Sequence, residues 1–338
     1  MARQVTTVSL NAKIPGMIQI HDYKETLRRE WEDFVLRANN GTLFHRQRFL
    51  DYHPKGRFDD RHLIIKDGHA LKAVMPGLIK DEQGSKTLIS YGGASCGGLV
   101  IAPGLGIADI HKICESVAGH WARQGIKRIL ITQPPLIYMK SPHQYIDFCW
   151  AKLGFTYLKR EITAVIPLEF DCEDCIPAGF KQETRTALRK GQKAGIEVRQ
   201  TDDLGEFYHI LEKNLSQRHN VKPTHTLDEL AKLKKLLPDD VIQFTAYQGK
   251  KALAGITVFV CNPRVMLAFY ISHDQHYQEL RPVNSVYYEA IRWGWANGYK
   301  YLDLGTFTLN MQPNWGLGKF KENFGARGFL RETFELRL

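Results

Sequence analysis

The chain has 338 residues, enough for two domains. Apolar residues make up 43% and charged residues 24% of it, which excludes a disordered or fibrous chain. The formal charge of +10 favours polyanionic partners (nucleic acid, phosphorylated sugars, an anionic membrane surface), with a solvated basic surface as the alternative.

Residues 1–20 hold no apolar run long enough for a signal peptide. No stretch approaches the roughly 20 apolar residues of a membrane span. Both point to a cytoplasmic protein, with peripheral membrane contact left open through its charge. The first helical pattern covers residues 25–39 and places Leu27, Trp31, Phe34, Val35 and Ala38 on one side. A hairpin follows at residues 62–76, turning at Asp67-Gly68. Residues 92–106 are glycine-rich, fit neither a P-loop nor a GxGxxG fingerprint, and read as turn chemistry or as a ligand-contacting loop. Asp109 is the expected N-cap of a helix whose apolar stripe is Ile110, Ile113, Cys114, Val117, Ala118 and Trp121. Gly125 stops it, and residues 127–132 read as a buried strand. Cys172 and Cys175 form a lone Cys-x-x-Cys without a second pair or a His pair at metal spacing, so reduced thiols and no metal are expected.

The second half repeats this plan. A helix over residues 204–217 precedes a hairpin over residues 241–260 that turns near Gly249. Pro282 suits a first helical turn, and Val283, Val286, Tyr287, Ala290, Ile291 and Gly294 form the next stripe. Gly298 stops that helix before a strand at residues 300–305. The stripe, the stop and the strand recur at one offset of 173 residues, from Ile110 to Val283 and from Gly125 to Gly298, which indicates duplication. Each half reads as an α/β or α+β domain, a mixed central sheet flanked by helices, divided as 1–166 and 167–338.

Several residues then carry candidate chemistry. Asp303 interrupts the apolar 301–304 strand, where a carboxylate needs a partner; it is read as a general base or as the holder of a cation. Lys321 falls on a short helix near a glycine-rich bend, where its ammonium would meet charge developing on a reacting carbonyl oxygen. His273, a candidate proton shuttle, and Tyr270 close a strand ahead of the Pro282 helix. Lys181, Arg185 and Arg189 recur every four residues on one helical face, extended by Lys190 and Lys193, a pattern suited to phosphates or to solvent.

Three segments carry a family resemblance. They are Trp293-Gly-Trp-Ala-Asn-Gly-Tyr-Lys-Tyr-Leu-Asp-Leu-Gly305, Gly318-Lys-Phe-Lys-Glu-Asn-Phe-Gly325 and the basic helix at 180–195 with the Ile196-Glu-Val198 that follows it. Together with the repeat they resemble the FemABX family, tandem GNAT-fold aminoacyl transferases that build peptidoglycan interpeptide bridges. The looser FemAB-like GNAT proteins found with surface-polysaccharide genes are similar. The match is clear over about residues 180–330. It implies two tandem GNAT-like domains, Lys321 beside Phe320 as the residue most tied to catalysis, Phe320 at the substrate, and Arg218 as the candidate for an acceptor-phosphate arginine. The family's N-terminal lysine has no evident counterpart in Phe44-His-Arg-Gln-Arg-Phe-Leu-Asp-Tyr-His53, and no long helical hairpin is inserted to grip tRNA. Where a simple GNAT enzyme carries a glycine loop for coenzyme A, this chain reads Tyr277-Gln-Glu-Leu-Arg-Pro-Val-Asn284, and Pro282 lacks a backbone donor.

The resemblance thus implies an N-acyl or aminoacyl transferase acting on a peptidoglycan or surface-polysaccharide precursor, phosphorylated or lipid-linked. Its donor would be a co-substrate, aminoacyl-tRNA or acyl-CoA, with no permanently bound cofactor. The alternatives are an acyl-CoA- or acyl-carrier-dependent N-acyltransferase of an amino sugar, and a binding protein with a decayed pocket.

Overall fold

A computed structural model describes residues 18–338, apart from the side chains of Arg218 and His219. Most of the 1–20 segment read above for a signal peptide lies outside the described residues. In chain order, β1 (Ile18–Asp22), α1 (Arg28–Arg37) and α2 (Gln47–Leu50) come first. Strands β2 (Asp59–Asp60), β3 (Leu63–Asp67), β4 (Ala70–Met75), β5 (Leu78–Glu82), β6 (Ser85–Ser90) and β7 (Val100–Ile101) follow. Next come α3 (Ile107–Arg123), β8 (Arg128–Thr132), α4 (Tyr145–Lys152) and β9 (Thr156–Pro167). The chain continues with α5 (Gln182–Lys193), β10 (Ile196–Gln200), α6 (Gly205–His219), α7 (Leu227–Leu236), β11 (Val241–Gln248), β12 (Lys251–Val260) and β13 (Val265–His273). It closes with α8 (Pro282–Ala296), β14 (Tyr301–Thr306), β15 (Thr308–Leu309), β16 (Gln312–Pro313), α9 (Trp315–Glu322) and β17 (Arg327–Arg337).

The stripes explain the two long helices. Ile110, Ile113, Cys114, Val117 and Trp121 bury one face of α3 against the β8 side of the sheet, with Ala118 half-buried. Val286, Tyr287, Ala290 and Ile291 do the same for α8 against β11, β12 and β13. Gly125 and Gly298 end them at φ +74° and +79°, where a side chain would be strained. The expected cap at Asp109 is corrected: α3 starts three residues earlier with Gly106 at the N-cap, and Asp109 sits in the first turn, where its charge suits the exposed amide ends. Cys172 and Cys175, read as reduced, are joined in a disulfide.

Two sheets result. One holds β1-β3-β4-β7; the other runs through eleven strands in the order β10-β11-β12-β13-β14-β9-β17-β8-β6-β5-β2. The elements α3, β8, α4, β9 and α8, β14, α9, β17 follow one another in the same order. The last strand of each series crosses to the other half. Val165, Ile166 and Pro167 of β9 pair with Asp303, Leu302 and Tyr301 of β14. Residues 333–337 of β17 pair with 132–128 of β8. Arg46 adds a lateral tie, with Nε 3.0 Å from Glu32 and Nη1 2.7 Å from Asp240 across the halves.

This exchange places Phe334 of β17, fully buried, among Ile129, Ile131, Trp150 and Phe155 of the first half. Phe334→Ala is expected to cost about 3–5 kcal/mol, because the cavity would lie in a core built from both ends of the chain. A urea titration reads it; a loss below about 1 kcal/mol would contradict this placement.

Candidate functional site

Strands β13 and β14 run parallel and pair only at Val265–Tyr301, Met266–Leu302 and Leu267–Asp303. Beyond that they separate. A cleft of about 360 Å³ opens beside the far end of β13, lined by Ile271, Ser272, His273, Arg281, Asn284 and Phe320. A more open groove of about 700 Å³ adjoins it through Arg281, Asn284 and Phe320 and extends to Thr184 and Lys190 of α5. Pro282 occupies the first position of α8, and Arg281 before it adopts φ +59°. Non-glycine residues rarely adopt that region, and here it brings the arginine to both cavities.

Asp303 is 3% exposed. Its Oδ2 accepts from Tyr138 Oη at 2.9 Å, and its Oδ1 accepts from Thr163 Oγ1 and, at 2.8 Å, from the Gly305 backbone N–H. A buried carboxylate is tolerated only with such donors. Tyr138 comes from the segment after β8 and Thr163 from the crossing strand β9, so both halves are needed to satisfy one carboxylate.

Lys321, on α9, is 4% exposed. Its Nζ donates to Gly305 O at 2.7 Å and to Thr306 O at 3.1 Å, at the splayed end of β14. Burial lowers its pKa to about 8, opposed by the attraction of Asp303. Loss of hydration therefore outweighs the pull of the nearby carboxylate here. An ammonium has three N–H donors, and two are committed to these carbonyls. Phe320, its neighbour, packs at a tilt on Tyr287 and edge-to-face on Phe324, and lines both cavities.

The other sequence candidates distribute unevenly. His273 ends β13, half-buried, in the cleft. Tyr270 lies on the opposite face. A bulge at Thr257/Val258 gives β13 one extra residue, so Phe269 and Tyr270 both face the α6–α7 side. There Tyr270 Oη accepts from the His225 backbone N–H at 3.0 Å and lies 2.8 Å from His225 Nδ1. On α5, Lys181 and Arg189 are exposed, whereas Arg185 donates to Phe180 O at 2.8 Å and Lys190 lies 3.3 Å from Glu279. Arg218 is in α6, and its side chain lies outside the described ones. Tyr138 and Thr163 escaped the sequence reading, since nothing local marks either as a partner of residue 303. Among the described residues, no group of three or more His, Cys, Asp or Glu could hold a metal ion, and no helix is long and apolar enough to cross a membrane.

Lys321 should titrate near pH 8, measurable from its side-chain NMR shifts. The unfolded amine keeps its proton up to about 10.5, so this residue's contribution to stability rises with pH between the two values. Asp303→Asn removes the attraction and lowers the titration point further; a midpoint at the ordinary lysine value, or one unmoved by the substitution, would contradict the assignment.

Residues 178–320 match the family described as Acetyltransferase (GNAT) domain. No curated protein sequence matches the chain. Among solved structures, FemX is similar with a TM-score of 0.72 at 12% identity, over 95% of this chain and 97% of that one. The C-terminal domain of a putative lysylphosphatidylglycerol synthetase from Agrobacterium fabrum gives 0.56 at 12% identity, over 91% and 90%. A tandem GNAT protein from the clavulanic acid biosynthesis pathway gives 0.55 at 10% identity, over 95% and 98%. The chain thus has the mixed α/β fold of FemABX-like tandem GNAT proteins.

Proposed function

We propose that this chain, organised as GNAT-like halves 1–166 and 167–338, is an acyltransferase that forms an amide between an activated acyl or aminoacyl group and an amine of a cell-envelope precursor. The observation that carries the reading is the Lys321 amine, buried at the splayed end of β14 and tied to two carbonyls, with Phe320 beside it lining the cleft. GNAT-type fold and the likeness to FemX support the transferase class. The lysylphosphatidylglycerol synthetase domain supports a lipid-linked or envelope acceptor.

Transfer proceeds by attack of the acceptor amine on the donor carbonyl. The new C–N bond forms as the carbonyl π-electrons move to oxygen, giving a tetrahedral oxyanion. The third N–H of protonated Lys321 is assigned to that oxygen. The C–O or C–S bond to the donor carrier then breaks, and the amine's proton leaves to the carrier or through His273. The paired Asp303 keeps the ammonium charged close to neutral pH. Donor phosphates are assigned to Arg281 and the exposed Lys181 and Arg189, and acceptor phosphates to Arg218.

Aminoacyl-tRNA and acyl-CoA, or an acyl carrier, remain the two donor classes, each entering as a co-substrate. Arg281 ahead of α8 favours an anionic donor of either kind, while Pro282 withholds a backbone donor from a pyrophosphate. Thermal protection by coenzyme A alone supports the second class; protection by charged tRNA alone supports the first.

With the donor so found, Lys321→Met should lower turnover at least tenfold while the melting temperature is retained. Full activity in that variant would refute the role assigned to Lys321. The wild-type rate should fall as pH rises through about 8, the point at which the amine loses its proton; a rate that climbs there would make the amine a base instead. Binding of tRNA or a nucleotide sugar should weaken steeply between about 50 and 200 mM salt, and an affinity that stays flat would remove the α5 face from the site.

A further inference from the structure

A second cleft, of about 230 Å³, lies in the first half where β8 gives way to α4. It is bounded by the segment after β8, the start of α4 and residues 328–332 of β17. α4 (Tyr145–Lys152) and α9 (Trp315–Glu322) are offset by 170 residues, so Phe320 and Lys321 correspond to Trp150 and Ala151. The cation is thus replaced by a small apolar side chain, and Asp147 lies one turn earlier on α4. Asp147 lines the cleft together with Glu332, Gln133, Leu136, Met139 and Phe329.

The polar groups here are incompletely used. Glu332 Oε1 accepts from Arg160 Nε at 2.7 Å, whereas Asp147 has no hydrogen bond or ion pair to any described residue. Gln133 is 6% exposed, and its Nε2 has no partner. Its Oε1 rests against Gly98, where a Cβ would come within 2.7 Å, so the glycine loop leaves room for this side chain. An unpaired buried amide donor such as Gln133 Nε2 costs free energy unless a ligand or water completes it, and the half-buried Asp147 carboxylate in the same cleft is open to a cation. Burial and the nearby Glu332 push the Asp147 pKa up to about 6, a strain that a cationic ligand would relieve.

We propose that this cleft binds an amino-acid-like headgroup: a primary ammonium held by Asp147, a carbonyl oxygen accepting from Gln133 Nε2, and a short aliphatic chain against Leu136, Met139 and Phe329. Two carboxylates and a single paired arginine select a cation, and they disfavour a free carboxylate on the ligand. An amide or ester of an apolar amino acid has the required chemistry. The volume is below the usual range for a drug-sized site and suits a ligand of this small size. The site stands apart from the Lys321 cleft and does not depend on the transferase reading.

The probes are L-leucinamide, 4-methylpentanamide (which lacks the amine) and isopentylamine (which lacks the carbonyl), titrated against the full chain by saturation-transfer NMR. L-Leucinamide should bind at least tenfold more tightly than 4-methylpentanamide to the wild-type protein, a comparison that needs no variant. Asp147→Asn should weaken L-leucinamide at least tenfold. Gln133→Leu should weaken L-leucinamide but not isopentylamine, and Lys321→Met should change neither, which separates this site from the transferase cleft. The proposal is overturned if none of the probes binds, if the amine-free amide binds as well as L-leucinamide, if Asp147→Asn binds as the wild type does, or if Lys321→Met abolishes binding.

Discussion

The carboxylate of Asp303 constrains the rest of the site. It sits in a strand that is otherwise apolar, almost without access to water, and so needs donors from the protein itself. The chain provides them from three places: Tyr138 after β8, Thr163 on the crossing strand β9, and the backbone of Gly305. No single half holds all three. The strand exchange therefore also assembles a buried polar cluster, one residue of which, Gly305, lends its carbonyl to Lys321.

That placement differs in kind from the basic face of α5. Lys181 and Arg189 are exposed and screened by salt within roughly 10 Å at 0.1 M. They can attract a polyanion but cannot be tuned. Lys321 is enclosed, loses hydration, and keeps only part of it back through two carbonyls and the nearby carboxylate. A dry amine held close to its titration point can respond to charge developing on a bound carbonyl in a way that a solvated lysine cannot. The first half carries no cation at the matching place: Trp150 and Ala151 stand where the second half has Phe320 and Lys321.

Much of the architecture was legible because it rests on local pattern. The α3 and α8 stripes, the glycines that end them and the two hairpins each reflect burial on one face, and burial writes itself into residue spacing. Pairing across the halves was not legible. Alternation in residues 327–337 marks a strand but says nothing about whether β8 or β9 lies beside it. Asp303 could be recognised as needing a partner, yet Tyr138 lies 165 positions away and carries no local mark. Tyr270 shows how one residue reverses a reading. Simple alternation from Met266 and Ala268 would aim it at the α8 cleft, and the bulge turns it to the α6–α7 face. The cap at Gly106 was missed because Asp109 offers a capping side chain that the helix, having begun earlier, does not use.

A double-mutant cycle on Tyr138→Phe and Asp303→Asn, followed by urea unfolding, tests the shared cluster most directly. If the carboxylate clasps the two halves together, the paired substitutions should depart from additivity by about 1 kcal/mol or more. Agreement with the sum of the single effects to within about 0.4 kcal/mol would contradict the account.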